Sequence, residues 1–410
     1  MSIDFEQPMK NQLRDRAELQ VALAEACELE HGLACSYLFA AFSLKRHISE
    51  GLTWEEQQLV RKWASNIYFI ASQEMLHLAQ AWNLMIAVGG SPYVARPNFP
   101  QPSRYYPLHI PLEITGFDES TLARFIAFER PEGTAYDAAT LAFAPEHLRA
   151  RIDALPPIHS IGRLYEIIED TLIGDPSLIV AGAADQVDVE LVDFPDLVAV
   201  SDVRSAIAAV TTIRDQGEGL EADRVDCHYG LFRRMLRETL DASSAARAQG
   251  REFVPGRYVL SNPCYYDDDA YAARGATKVR DPQTYAVGQL FDDLYAAMLV
   301  GLQFVFAQPA ASRPVRRRIA KLCIDVMPAV LVPLGEALTM LPSGIAGRNA
   351  GAGFFIGRFV ALPADERIAL PMLLARFAAL RDHAVRLADG SPAEPALRHV
   401  AAILNERTAP

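Results

Sequence analysis

Residues 69–82, FIASQEMLHLAQAW, contain the pattern that decides the fold. Glu74 and His77 stand three residues apart, so on an α-helix a carboxylate and an imidazole lie on one face, one turn apart. A Glu and a His at this spacing are common on helices and by themselves indicate only a polar pair. Here the flanking residues make the helix apolar nearly all round. Burying two ionisable groups in such a helix is costly unless they are paired or bound to a metal ion.

This segment belongs to the second of two long predicted helices. The first covers about residues 13–44, where apolar residues recur at helical spacing. The second begins with Thr53 and Glu56, which form a capping box, and stops at the glycine pair 89–90. A helix of ~35 residues is ~50 Å long, which is the proportion of a helix in a long bundle.

The first helix offers more than one candidate ligand. Glu30 lies among apolar residues, and Tyr37 follows seven residues later, two turns on and hence on the same face. Glu28 and His31 are neighbouring competitors. The residue pattern alone leaves the choice among them open.

The third and fourth predicted helices add further groups. Glu166 and Glu169 lie one turn apart in the third helix, and His228 lies in the fourth. Four helices that each contribute a Glu or a Glu/His set are typical of the di-metal carboxylate bundles. Oxygen and imidazole ligands without thiolates favour iron or manganese over a structural zinc site.

The predicted fold is mainly α and has two regions. Residues 1–250 are predicted to form a four-helix bundle with a proline-rich inserted lobe at about 91–157, a stretch too long for a plain bundle loop. Residues 251–410 are predicted to form a mostly helical C-terminal region that packs on the bundle. Within it, the helix at 281–308 is expected to be buried, and the glycine-rich segment 344–357 to be mobile or tightly turning.

Composition narrows the class of protein. The 410 residues include 39 Lys and Arg and 51 Asp and Glu, and the net charge of −12 argues against nucleic acid or an anionic membrane as the main partner. The first ten residues lack the features of a secretory signal, and the most apolar stretch falls short of the ~20 residues that span a bilayer. Five cysteines without a CxxC pair suit a reducing compartment. We therefore expect a cytoplasmic protein with a small-molecule partner, and the composition is compatible with a homodimer.

Several segments, in the same order along the chain, resemble those of one known family. They are Glu28-Leu-Glu-His31, Glu74-Met-Leu-His77 with Gly89-Gly-Ser-Pro92, Phe128-Glu-Arg-Pro-Glu132, Ile161-Gly-Arg-Leu-Tyr-Glu166, Gln216-Gly-Glu-Gly219 and His228-Tyr229. Over about residues 15–240 the chain is similar to the ferritin-like family found in the iminophenylpyruvate dimer synthases, the chromopyrrolate-type synthases of violacein and indolocarbazole biosynthesis. The similarity extends more faintly into the C-terminal region.

The resemblance implies a ferritin-like four-helix bundle that holds two iron ions, with manganese as the other candidate metal. Carried over position by position, it implies Tyr37 as a catalytic residue beside the metals. The metal ligands that it implies are Glu30, Glu74, His77, Glu166 and His228.

Two positions depart from the family pattern. Val225 stands three residues before His228 where a Glu is expected, so the fourth helix lacks a Glu/His pair. Glu221 is ~10 Å away along a regular helix, whereas Glu218 reaches His228 if the glycines on either side of it let the chain fold back. We therefore include Glu218 as a predicted ligand. Gln73 stands where the family commonly has a second Glu.

The resulting functional prediction is a non-haem di-metal oxidase or oxygenase that uses dioxygen. Its substrate is expected to be a small nitrogenous metabolite in secondary metabolism, an amino-acid-derived imine or amine, and Tyr37 is expected to donate a proton or an electron. The substrate class comes only from the resemblance, and those synthases are much longer chains. The alternative is a non-catalytic ferritin-like accessory protein that binds metal or a partner, which the incomplete motif at His228 supports.

Overall fold

Two long antiparallel helices form the centre of the molecule. The computed structural model describes residues 13–102, 111–146, 148–149, 160–182, 186–217, 226–267 and 272–408. Helix α1 covers Arg16–Ser43, and helix α2 covers Trp54–Ala87. The predicted capping box at the start of α2 is present, since the Thr53 hydroxyl accepts from the Glu56 N–H and the Glu56 carboxylate accepts from the Thr53 N–H.

The third helix of the bundle is split into two segments that follow one another along α1. They are α3, Glu119–Phe128, and α5, Ile161–Gly174, with the short α4, Ala138–Phe143, between them. At the C-terminal end of α1, the Phe117 N–H just before α3 donates to Ser43. At the N-terminal end of α1, the Leu13 N–H donates to Thr171 near the end of α5. Both segments therefore run antiparallel to α1.

The fourth helix is split in the same way and lies along α2. Its segments are α7, Val203–Gly217, and α8, His228–Ala248, and the short α6, Val189–Val192, precedes them. The Gln216 side chain contacts His77, and Trp63 Nε1 donates to the Glu238 carboxylate at 2.7 Å. The four-helix arrangement is thus present, but two of its four members are interrupted.

Part of the stretch that was predicted as an inserted lobe belongs to the bundle itself. Residues 119–128 lie inside the stretch predicted as a lobe at about 91–157, and they form α3 of the bundle. This helix has only 10 residues, so its apolar period is too short to stand out among the surrounding prolines. The division of the chain at residue 250 stays a prediction.

The C-terminal region is mostly helical, as predicted. Pro328 lies in a π-helical stretch, Met327–Leu331, that separates two of its helices. The helices are α9, Pro282–Ala307; α10, Arg313–Val326; α11, Val332–Leu338; α12, Glu366–Ala388; and α13, Glu394–Thr408. Strand β1, Pro263–Cys264, pairs in parallel with β2, Thr277–Lys278, and β3, Pro342–Ile345, pairs antiparallel with β4, Arg348–Asn349.

Helix α9 joins the C-terminal region to the bundle. Within the described residues it is the helix long and apolar enough to span a membrane, but 78% of its most apolar window is buried inside the protein. Its Phe306 ring lies 4.9 Å from the ring of Trp82 on α2. The prediction of a buried helix here is confirmed.

The glycine-rich segment 344–357 is tightly packed. A Cβ atom on Gly351 would lie 2.5 Å from the Phe39 ring, and one on Gly353 would lie 2.7 Å from the Asp292 carboxylate. Only glycine allows the backbone to approach α1 and α9 this closely. Of the two behaviours expected for this segment, the tight turn is the one observed.

Candidate metal centre

Two groups of three ligand-type side chains meet in the bundle and share one residue. Glu30, Glu74 and His77 place their ligand atoms within 4.8 Å of one another, and so do Glu74, Glu129 and His228. All five residues are buried. Glu74 Oε2 lies 3.1 Å from His77 Nδ1, and Glu74 Oε1 lies 2.9 Å from His228 Nδ1. The carboxylate of Glu74 therefore bridges the two histidines.

The two groups have matching geometry, and we call them half-sites. In the first half-site, Glu30 Oε2 lies 3.5 Å from His77 Nδ1. In the second half-site, Glu129 Oε1 lies 3.6 Å from His228 Nδ1. Each half-site thus consists of its own Glu, its own His and one oxygen of Glu74. Di-metal carboxylate bundles also combine Glu and His side chains from facing helices, four Glu and two His in all, and three Glu and two His meet here within the described residues.

The two half-sites are built on different kinds of backbone. Glu30 lies in the middle of α1, and Glu74 and His77 lie one turn apart in the middle of α2. Glu129 is the residue that caps the C-terminus of α3, and His228 is the first residue of α8. The breaks in the third and fourth helices therefore place the second half-site beside the first.

An amide side chain holds the far nitrogen of each histidine. His77 Nε2 lies 3.0 Å from Gln216 Oε1, and His228 Nε2 lies 3.1 Å from Gln73 Oε1. An amide oxygen can only accept, so each Nε2 donates its hydrogen, and Nδ1 is the nitrogen that faces Glu74 and can hold either a proton or a metal ion. This orientation by an outer partner is usual for histidines that bind metal.

A tyrosine hydroxyl donates to the outer carboxylate of each half-site. Tyr165 donates to Glu30 Oε1 at 2.6 Å, and Tyr37 donates to Glu129 Oε1. Burial, and next the nearby Glu129, raises the pKa of Tyr37 well above its ordinary value. The Tyr37 phenol is therefore protonated in the resting protein.

The charges in the cluster favour bound cations. Burial raises the pKa of Glu30 to about 7, although His77 opposes the shift. Burial alone would lower the pKa of both histidines, but the adjacent carboxylates outweigh it and raise the pKa to about 10 for His77 and about 9 for His228. Burial also opposes the ionisation of Glu74, yet the two histidines hold its pKa below the ordinary value. Positive charge is drawn to both Nδ1 positions, where metal ions compete with protons.

The donor set passes a direct test of fit to metal ions. Glu74 Oε1 and His228 Nδ1 each expose less than 1 Å² and have no hydrogen-bond partner in the described part of the chain. Buried polar atoms without a partner are rare in folded proteins, and here two of them face each other. A shared cation would satisfy both. The ligand atoms are carboxylate oxygens and imidazole nitrogens, which suit iron and manganese.

Most of the predicted site residues are brought together, and one is not. The residues that meet are Glu30, Glu74, His77 and His228, with Tyr37 bonded to Glu129 beside them. Glu166 instead pairs with Arg214 at 2.6 Å and Arg163 at 3.0 Å, on the side of α5 that faces solvent and α7. The prediction of Glu166 as a cluster residue is therefore not met, because the neighbouring Tyr165 is the residue that α5 directs at Glu30. Glu218 lies outside the described residues.

Sequence reasoning missed Glu129. It was not named as a ligand, because α3 was not predicted as a helix. A signal was present, since Leu122, Phe125 and Glu129 fall at the spacing of one helix face. Glu129 is the carboxylate partner of His228 that the sequence seemed to lack, and Gln73 is the partner of its far nitrogen.

Comparisons with known proteins agree with this architecture. A family model described as Ferritin-like matches residues 23–237. The chain is 28% identical over 366 residues to the 2-imino-3-(indol-3-yl)propanoate dimerase of Chromobacterium violaceum, which covers 83% of this chain and 34% of that protein. It is also 28% identical over 408 residues to the dichlorochromopyrrolate synthase of Lentzea aerocolonigenes, which covers 90% of this chain and 39% of that protein. The chain thus spans between a third and two fifths of the length of these relatives.

Among solved structures, a ferritin-like protein from Caulobacter vibrioides at 1.95 Å resolution aligns with a TM-score of 0.47 and 21% identity, covering 77% of this chain and 96% of that one. The two relatives and the family match confirm the resemblance to chromopyrrolate-type synthases. The match at residues 23–237 covers slightly more than half of the chain and includes every residue of both half-sites. On this match, the chain belongs to the ferritin-like family.

Proposed function

We propose that this protein is a non-haem di-metal oxidase or oxygenase, with iron as the metal and manganese as the alternative. Dioxygen is its co-substrate, and an amino-acid-derived imine or amine of secondary metabolism is its organic substrate. The observation that carries the proposal is the Glu74 carboxylate, which lies between two matching half-sites.

The five cluster residues would hold the metal pair. Glu30 and His77 would bind one ion, and Glu129 and His228 would bind the other. Glu74 would bind both ions. When bound, two iron ions of this kind supply the capacity to bind and reduce dioxygen. The chain contributes a buried set of ligands whose histidines are already oriented by amide side chains.

Tyr37 would donate a proton at the second half-site. Its hydroxyl donates to Glu129 Oε1, so a proton can pass between the phenol and a carboxylate of the second half-site. The Tyr37 ring is held by Phe125 at 4.6 Å and Phe232 at 4.9 Å between ring centres. These rings exclude water from the hydroxyl and fix its direction.

The substrate class rests on the relatives. The Chromobacterium violaceum protein is named for a 2-imino acid that carries an indole ring, and the Lentzea aerocolonigenes protein for a dichlorinated chromopyrrolate. The first name supports a 2-imino acid with an aromatic ring as the substrate class. The chain corresponds to only part of each relative, so the reaction of the whole relative is not assumed for it.

The structure weakens the main argument for a non-catalytic accessory role. That argument was the absence of a carboxylate next to His228 in the fourth helix, and Glu129 supplies one from the third. A complete pair of half-sites supports catalysis more than scaffolding.

The test is oxygen consumption by the metal-loaded protein. Indole-3-pyruvate or phenylpyruvate mixed with ammonium supplies 2-imino acids, and the parent amines form a comparison panel. We expect dioxygen uptake above background that disappears in Glu74→Ala and persists in Glu166→Ala, since Glu166 lies outside the cluster. A protein that binds two metal ions but shows no uptake with any imine or amine would instead support the accessory role.

A further inference from the structure

A cavity lies between the α1–α2 hairpin and the C-terminal helices α9 to α11. Its volume is about 440 Å³, which is in the range of pockets that hold a small molecule. Both regions of the chain supply aromatic rings to its wall. Phe42 and Trp82 come from the hairpin, and Phe306 and Phe354 come from the C-terminal region.

The cavity and the metal centre lie on different faces of the same two helices. Consecutive residues on an α-helix point ~100° apart. Glu30 belongs to the first half-site, and the next residue, His31, lines the cavity. In the same way, Glu74 belongs to both half-sites, and Met75 lines the cavity. The inference below therefore does not rest on the proposed function.

The wall of the cavity is apolar, and its few polar side chains have partners within the protein. Among the described residues that line it, none is an Asp, Glu, Lys or Arg. Trp82 Nε1 donates to the Tyr93 carbonyl at 2.9 Å, and the Tyr68 hydroxyl donates to the Glu336 carboxylate at 2.6 Å. The Ser72 hydroxyl donates at 2.6 Å to a backbone carbonyl one turn back on α2.

The other polar side chains of the wall bond to one another. The Tyr295 hydroxyl is hydrogen-bonded to His31 Nε2, and Cys35 Sγ lies 3.3 Å from that hydroxyl. A carboxylate or an ammonium group that entered the cavity would lose its water and meet no opposite charge there. Such a transfer is strongly unfavourable, so the wall selects against ions.

Two irregular pieces of backbone form part of the wall. Met327, Pro328 and Leu331, all from the π-helical stretch, line the cavity. Phe354, which also lines it, has a φ of 50°, in the left-handed region that residues other than glycine rarely adopt. Both π-helical turns and strained residues are concentrated at functional sites. Their presence in one wall supports a ligand site.

We propose that this cavity binds an uncharged, apolar organic molecule and rejects ions. The ligand lies against the aromatic rings and the sulfur atoms of Met75, Met298 and Met327, whose flexible side chains adapt to its shape. A 2-imino acid carries a carboxylate, so this ligand differs from the substrate proposed above. Because the ligand contacts both regions of the chain, its binding stabilises the packing of the C-terminal region on the bundle.

A matched pair of fluorescent probes tests the proposal. N-phenyl-1-naphthylamine is uncharged, and 1-anilinonaphthalene-8-sulfonate has the same rings with an added sulfonate. In titrations of the full-length protein, we expect the uncharged probe to bind saturably, one per chain. The sulfonate should bind more weakly by about tenfold or more, because its charge is buried without a partner. No saturable binding of the uncharged probe, or equally tight binding of the sulfonate, overturns the proposal.

Cavity-filling variants locate the binding. Ala34→Phe and Ala79→Phe each place a ring inside the cavity, one from α1 and one from α2, and each should weaken the uncharged probe by about tenfold or more. The matched control is Phe69→Ala, which removes an exposed ring of α2 that does not line the cavity and should leave binding unchanged. Unchanged binding in a folded filling variant, or lost binding in the control, contradicts the location.

Thermal unfolding provides a second readout. The uncharged probe should raise the Tm of the wild type and leave that of Ala79→Phe unchanged, because a ligand stabilises only the folded protein that binds it. An equal rise in both proteins contradicts the proposal. Glu129→Gln should bind the probe as the wild type does, so a failure at the metal centre is distinguishable from a failure at this cavity. Lost binding in Glu129→Gln would overturn the separation of the two sites.

Discussion

The two half-sites contain the same kinds of residue on unlike backbones. In the first, Glu30 and His77 lie in the middle of unbroken helices, whereas in the second, Glu129 and His228 lie at helix ends beside two breaks. Each has a tyrosine on its carboxylate and a glutamine on its histidine. Similar groups of ligand-type side chains thus come from regular helices and from the places where helices are interrupted. Mutating the half-sites one at a time tests whether each binds its own ion.

Glu74 is common to both half-sites, so its loss should have the largest effect. In Glu74→Ala, we expect metal content to fall from about two equivalents per chain to none, because each half-site keeps only one carboxylate and one imidazole. The measurement is elemental analysis of protein purified without a metal-affinity tag or chelators. Retention of both ions would break the claim that the half-sites share a ligand.

Glu166→Ala is the matched control, since Glu166 pairs with Arg214 and Arg163 away from the cluster. Its metal content should equal that of the wild type. A loss of metal in this variant would return Glu166 to the list of ligands.

Glu129→Gln and Glu30→Gln should each remove one ion and leave the other. The amide keeps the size of the side chain but removes the charge that balances the cation in that half-site. We expect about one equivalent per chain in each variant, with different spectroscopic signals for the ion that remains. Loss of both ions in either variant would mean that the half-sites bind cooperatively and are not independent.

The first half-site could be predicted from sequence because a regular helix converts spacing into position. Glu74 and His77 are three residues apart on a long apolar helix, so their meeting follows from helix geometry. In the second half-site His228 was predicted as a ligand and Glu129 was not, because their meeting depends on where α3 ends and α8 begins. Those boundaries are set by tertiary packing and not by local pattern. On α5, the residue directed at Glu30 is Tyr165, which lies one position and ~100° of helix rotation from the predicted ligand Glu166.

Tyr37→Phe and Tyr165→Phe compare the two tyrosines. Both variants remove a hydroxyl that donates to a buried carboxylate, so each should lower stability by about 1–3 kcal/mol. Only Tyr37 is assigned a catalytic role, so only Tyr37→Phe should slow dioxygen uptake, by ~10²-fold or more, with metal content unchanged. Equal slowing in both variants would contradict the assignment.

Gln73→Leu and Gln216→Leu test the outer partners of the histidines. Each change leaves one Nε2 without its acceptor, so affinity for one of the two ions should fall by ~10-fold to ~100-fold. Competition with a chelator of known affinity measures this effect. Unchanged affinity for both ions would show that packing alone orients the imidazoles.

If Glu129 completes a second metal site beside the first, its substitution should remove one of two bound ions. The most direct test is the metal content per chain of the wild type and of Glu129→Gln, both loaded anaerobically with ferrous iron and freed of excess metal. We expect about two equivalents in the wild type and about one in the variant. One equivalent or none in the wild type, or two in both proteins, would contradict it.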